Sequence, residues 1–127
     1  MESAGAEAIM ESLRQTTILK ELPSECGGLF FEDVTPGTLA ILKRRYGNQL
    51  PKIEESLNNF DAARFIDKHS RKPALLVRLK VITSDPKVSA FEIIKRTGRR
   101  GWVSCYVEMN HEAGRWKVCR CQVGIAD

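Results

Sequence analysis

Cys119-x-Cys121 sets two thiols two residues apart, with His111 and Cys105 nearby in the chain. Thiolate and imidazole are the donors zinc prefers. The spacing argues against a metal site, because the usual knuckle puts two to four residues between its ligands. On a strand, Cys119 and Cys121 would share one face while Cys105 points into the core. Half-buried, inert thiols are the expectation, with no metal bound. A nucleophilic Cys or Ser would need a base within hydrogen-bond reach, and the chain offers only His69 and His111. His111 is expected in a turn just before Glu112-Ala113-Gly114, and His69 in the basic link ahead of the first long strand. Asp61 and Asp67, with Tyr46, could line a cavity as acid–base groups, but that requires one carboxylate inside an apolar pocket, which their spacing does not provide. There is no phosphate-binding loop, dinucleotide fingerprint, metalloprotease helix or nucleophile elbow, so neither a catalytic set nor a cofactor is assigned.

The elements that must carry any function belong to an ordinary globular chain. Its 127 residues are 43% hydrophobic and 28% charged, which fits one domain spanning residues 1–127. At this length folding buries roughly two-thirds of the unfolded surface, so neither disulfide nor metal is required for stability. The first residues are acidic and lack the basic-then-apolar layout of a secretory leader, and no run approaches the ~18 apolar residues that cross a bilayer. Cys26, Cys105, Cys119 and Cys121 are therefore expected as free thiols in an intracellular protein of cytoplasm or nucleus, with no membrane partner.

Charge is distributed unevenly. Residues 1–34 hold 2 basic and 7 acidic side chains (net −5), and residues 35–127 hold 18 and 9 (net +9). Lys68 to Arg100 alone has ten Lys or Arg against Asp85 and Glu92. Such asymmetry suits an acidic partner, nucleic acid among them, or a solvated face that maintains solubility.

Ile9, Leu13, Ile18 and Leu22, with Met10 beside them, predict an amphipathic helix over Ala6–Leu22, ended by Pro23 and Gly27-Gly28. Leu29-Phe30-Phe31 is short enough for only a brief strand or a tucked loop. Thr35-Pro36 starts a second helix that runs through Leu39, Leu42 and Tyr46 to Gly47. Pro51 is read as opening a third helical stretch through Ile53, Leu57 and Phe60, with Asp61 capping a last turn that holds Phe65 and Ile66. After Pro73 the apolar period changes from 3.6 to 2, giving four strands: Leu75–Thr83, Ser89–Arg96, Trp102–Met109 and Trp116–Gly124. The fold class is α+β: N-terminal helices (about residues 6–68) packed on one face of a C-terminal four-stranded antiparallel meander (about residues 74–125).

One register accounts for every strand: Val81 with Phe91, Leu79 with Ile93, Phe91 with Val107, Ile93 with Cys105, Val107 with Val118, and Met109 with Trp116. Its first face is almost wholly apolar and takes the helices. Its second face displays Arg78, Lys80, Glu92, Ile94, Arg96, Trp102, Ser104, Tyr106, Lys117, Cys119 and Cys121, and it pairs Lys80 with Glu92 and Glu108 with Lys117. Arg96 faces Trp102 and can stack on the indole. Cations between flat rings suit single-stranded nucleic acid. The same set suits a protein interface, where Trp, Tyr and Arg carry most binding energy, and a solvated face with two incidental aromatics is the bland alternative. Lys43-Arg44-Arg45 and the hairpin tip Arg99-Arg100 extend the basic surface without matching a motif.

Helices first, then a long-stranded meander whose final strand begins Gly114-Arg115-Trp116-Lys117-Val118, is a layout that resembles the nuclear transport factor two-like, or cystatin-like cone, superfamily. The resemblance implies a curved sheet around an N-terminal helical layer, with Leu29-Phe30-Phe31 as the short first strand. That superfamily includes dimeric transport adaptors, association domains and small isomerases or dehydratases, and its adaptors pair through the sheet face opposite the helices. No catalytic Asp-His set can be carried over onto this chain. The leading expectation is a non-enzymatic interaction or adaptor module that binds a protein partner or itself as a homodimer. Direct binding of single-stranded RNA is the alternative and a small cone-fold isomerase or hydratase the second. Arg78, Lys80, Arg96, Arg99, Arg100, Trp102, Tyr106 and Lys117 are the candidate binding residues.

Overall fold

The computed structural model describes residues 2–15, 25–98 and 102–126. Helix α1 spans Glu2–Gln15 and buries Ile9, Met10 and Leu13, the stripe its periodicity predicts. It starts four residues earlier than expected because its first turns are buried by small residues, Ala4, Gly5, Ala6 and Ala8, which carry no amphipathic signal. A Cβ on Gly5 would sit 3.3 Å from the Leu79 side chain, so this helix lies close against its neighbour. Ile18, Leu22, Pro23 and the expected end of the helix lie outside the described residues.

Strand β1 (Gly28–Glu32) follows, and then helix α2 (Pro36–Tyr46) begins where the sequence places it. Thr35 Oγ1 accepts a hydrogen bond from the Thr38 amide at 3.2 Å, and Pro36 occupies a first-turn position where no donor is needed. A short 3₁₀ turn over Gly47–Gln49 closes the helix.

The third helix is not there. Residues 53–67 instead form β2 (Ile53–Glu54), a 3₁₀ turn (Leu57–Asn59), and a small hairpin of β3 (Phe60–Asp61) and β4 (Ile66–Asp67). Ser56, Asn58, Asn59 and Asp61 compete for backbone donors locally: Ser56 Oγ accepts from Asn58 N and Asp61 Oδ1 from Ala63 N. Phe65, with φ 50°, then turns the chain back. Its apolar residues serve a separate small cluster in which Phe60 and Phe65 pack with Phe30, Ala74 and Leu76.

Four long strands complete the chain: β5 (Ala74–Ser84), β6 (Val88–Arg96), β7 (Trp102–Glu112) and β8 (Arg115–Ala126). The meander is as expected, but the sheet has six strands rather than four, in the order β2-β1-β5-β6-β7-β8. β1 joins parallel to both β5 and β2, while the other pairs are antiparallel. β1 is buried on both sides, with Leu29 and Phe31 in the main core and Phe30 in the small cluster. Such a continuous apolar run marks a central strand yet carries no alternation for a sequence reading to detect.

The expected register holds across β5, β6 and β7, including Val81 with Phe91, Leu79 with Ile93, Phe91 with Val107 and Ile93 with Cys105. It fails at β8. The β7–β8 turn contains only Ala113 and Gly114, both at positive φ (51° and 75°), the backbone a two-residue hairpin demands. Met109 consequently pairs with Val118 rather than Trp116, a shift of two that preserves the faces. A bulge at Glu108/Met109 then adds one residue, so Val107 meets Cys121 and the faces exchange beyond that point. Cys121 therefore packs against the main core instead of joining the second face. That core unites Ile9 and Leu13 of α1 and Leu39 and Leu42 of α2 with Leu75, Val77, Phe91, Ile93, Cys105, Val107 and Met109 of the sheet.

Candidate functional site

The second face of the sheet is built by alternation along four strands. Arg78 and Lys80 project from β5, Glu92, Ile94 and Arg96 from β6, and Trp102, Ser104, Tyr106 and Glu108 from β7. Beyond the bulge β8 adds Arg120 and Gln122, opposite Glu108 and Tyr106. Trp102 and Tyr106 are half-buried and Arg78, Lys80 and Arg120 exposed. The small hairpin reaches onto this face from the β1 side, so that the Arg96 guanidinium sits between two rings, 5.8 Å from Phe65 and 5.7 Å from Trp102. Arg120 lies 5.9 Å from the Tyr106 ring. A groove of about 230 Å³ runs beside the Arg96–Trp102 stack, lined by Glu32, Leu76, Arg78, Ile94, Arg96 and Trp102.

Most cations here have a carboxylate beside them. Arg78 Nε donates to Asp33 at 2.8 Å, Lys80 faces Glu92, Arg120 faces Glu108, and Lys117 Nζ lies 3.9 Å from Glu112. The expected Glu108–Lys117 pair is replaced: Lys117 is opposite Asn110. The basic excess of residues 68–100 is also dispersed by the fold. Lys68, Arg71 and Lys72 lie in the link before β5, Lys87 at the β5–β6 turn, and Lys95 in the core, while Arg99 and Arg100 lie outside the described residues.

The other chemical candidates separate. Asp61 is engaged with the Ala63 amide. Asp67 is buried and accepts from the Ser70 amide at 2.8 Å; burial would raise its pKa, but hydrogen bonds from Ser70 and the His69 backbone, together with the Lys52 charge, outweigh it and leave the carboxyl below its ordinary value. Gly27 packs so closely here that a Cβ would meet Ser70 Oγ at 2.5 Å. Tyr46 instead hydrogen-bonds Glu7, which also binds Arg45 at 2.7 Å, and burial followed by that carboxylate raises the phenol's pKa. Glu7, Arg45 and Tyr46 line an open crevice of about 480 Å³ with Arg115, Trp116 and Lys117. His111 belongs to β7 rather than to a turn and lies 4.8 Å from the Trp116 ring. Cys119 is exposed, its thiol donating to the Glu108 carbonyl, and no group of three metal-binding side chains occurs among the described residues.

Lys95 is the residue the sequence reading passed over. It is fully buried on the apolar face, opposite Val77 and Val103. Its Nζ donates to the Ser12 carbonyl in the last turn of α1 at 2.6 Å and lies 3.7 Å from Cys105 Sγ. A cation at that end of a helix complements the helix dipole. Burial holds the Lys95 pKa below its ordinary value, against the opposing pull of Cys105 and Cys121. The Cys121 thiol is pushed up by burial first and by Cys105 second. Strict alternation from Phe91 and Ile93 already places position 95 on the core face, and that was the available signal.

No protein-family model matches this chain, and searches of curated proteins and of solved structures find no significant match. No helix among the described residues is long and apolar enough to cross a membrane.

Proposed function

We propose that this protein is a non-enzymatic interaction module that pairs with a second copy of itself through the second sheet face. The observation that carries the reading is the pair of Arg–aromatic stacks, Arg96 with Trp102 and Arg120 with Tyr106, set on a face whose other charges alternate in sign. Stacked Trp, Tyr and Arg supply the concentrated binding energy of interface hot spots. Charges of both signs on one surface can complement themselves across a two-fold axis, where the same patch meets itself. The reading takes the helical layer to cover the first face alone. It agrees with the resemblance to cone-shaped adaptor domains, which pair through the face opposite their helices.

Nucleic-acid binding is the weaker reading for a physical reason. Phosphate binding needs cations free to replace counterions, and Arg78, Lys80, Lys117 and Arg120 each have a carboxylate close by. Sedimentation of the purified chain, alone and with a single-stranded RNA, is the test. The reading expects association that rises with protein concentration, ignores RNA, and is lost in Trp102→Ala. A monomer at all concentrations, or a complex that forms only with RNA, overturns it.

A further inference from the structure

The main core holds a reactive pair that the interface reading does not use. Lys95 and Cys105 are both fully buried, on adjacent strands, with Nζ 3.7 Å from Sγ. Cys105 is opposite Ile93, so Lys95 reaches it along the diagonal that long side chains span. Cys121 packs against the same core from β8 and is partly exposed.

From this geometry we propose that Lys95 and Cys105 are a site of oxidative modification, forming a covalent sulfenamide crosslink between β6 and β7 when the protein meets hydrogen peroxide. The Cys105 sulfur attacks one peroxide oxygen, an S–O bond forms as the O–O bond breaks, and the thiol proton leaves with the released oxygen as water. The resulting sulfenic acid is then attacked at sulfur by the Lys95 amine. The N–S bond replaces the S–O bond, and the departing hydroxyl takes one amine proton as a second water. One thiol, one amine and one peroxide thus give one crosslink and two waters, with two electrons passing from sulfur to peroxide. Burial favours the second step, since the neutral amine is the nucleophile and the buried site disfavours the ammonium.

Disulfide formation is the competing fate, since the Cys121 thiol is within hydrogen-bond reach of Cys105, but strand register opposes it. Cys121 pairs with Val107 and Cys105 with Val123, so the two cysteines are diagonal neighbours. Diagonal Cα atoms lie about 7–8 Å apart, whereas a disulfide holds them within about 7 Å. Cys26 and Cys119 are engaged elsewhere, with the Gly28 and Glu108 carbonyls. Crosslinking also takes the Lys95 amine away from the Ser12 carbonyl, so the link modifies how α1 is tied to the sheet.

The experiment treats the full chain with a small excess of hydrogen peroxide and reads intact mass and a proteolytic map. The expected product is lighter by about 2 Da, joins the segments holding Lys95 and Cys105, and reverts with a dithiol reductant. Cys119→Ser and Cys121→Ser should retain it. Lys95→Met should abolish it and leave Cys105 as a sulfenic acid that dimedone traps when the chain is unfolded in its presence, which reports on Cys105 without relying on loss of signal. A 2 Da loss that maps to Cys105 and Cys121, survival of the product in Lys95→Met, or oxygen addition confined to Cys119 and Cys121 would each overturn the proposal.

Discussion

Replacing Lys95 with Met tests whether a charged amine really occupies the core. Methionine keeps the unbranched stem and fills nearly the same volume, so no cavity is opened. The change removes the Nζ hydrogen bond to the Ser12 carbonyl, and bonds of that charged kind contribute about 1.5–3 kcal/mol. It also removes the cost of holding an ammonium out of water, several kcal/mol after relaxation. Because the second term is the larger, Lys95→Met should be at least as stable as the parent at pH 7, by up to about 1–4 kcal/mol. Lys95→Ala removes the packed stem as well and should lose about 2–5 kcal/mol. The pH dependence carries the sign. The folded-state pKa of Lys95 lies below its ordinary 10.5, so between the two values the unfolded chain binds the extra proton. Parental stability should therefore rise relative to Lys95→Met as pH climbs through the window between the lowered folded-state pKa and 10.5, with a slope of up to about 1.4 kcal/mol per pH unit. Taking the difference cancels the Cys26 thiol, which does not interact with Lys95 and whose raised pKa lowers stability in both proteins at alkaline pH. Urea unfolding of both proteins at a series of pH values measures it. A difference that stays flat up to pH 10.5, or a Met variant weakened by more than about 3 kcal/mol, would refute the buried-amine account.

Phe91→Ala should cost about 3–5 kcal/mol in denaturant unfolding, since the ring is buried at the centre of the main core. Thr35→Ala removes the cap of α2 and should cost about 1 kcal/mol by the same assay. Tyr106→Ala should leave the unfolding midpoint nearly unchanged while raising the dissociation constant of the pair, because its ring lies on the second face; a variant that unfolds instead would place it in the core.

The sheet was legible where alternation was uninterrupted. From β5 to β7 the first face is apolar at every second residue apart from Ser89 and Lys95, so one register could be chosen and checked by the Lys80–Glu92 pair. At β8 two positive-φ residues and a bulge decided the pairing, and neither leaves a hydrophobic pattern to follow. The segment around Phe60 and Phe65 carried apolar spacing close enough to 3.6 to suggest a helix. Its Ser, Asn and Asp residues, which prefer local turns, were the better guide. The candidate face was readable at Arg96, Trp102 and Tyr106, which lie where expected. Cys121 was misplaced by the bulge, and Lys95 was missed because a charged residue was not followed onto the apolar face where parity puts it.

Pairing through the second face is tested most directly by sedimentation equilibrium of the parent chain beside Trp102→Ala at several concentrations. The account predicts that the parent approaches twice its 14.3 kDa chain mass, while Trp102→Ala stays at the single-chain mass with its far-UV spectrum intact. A parent that remains monomeric, or a folded Trp102→Ala that associates as strongly as the parent, would contradict it.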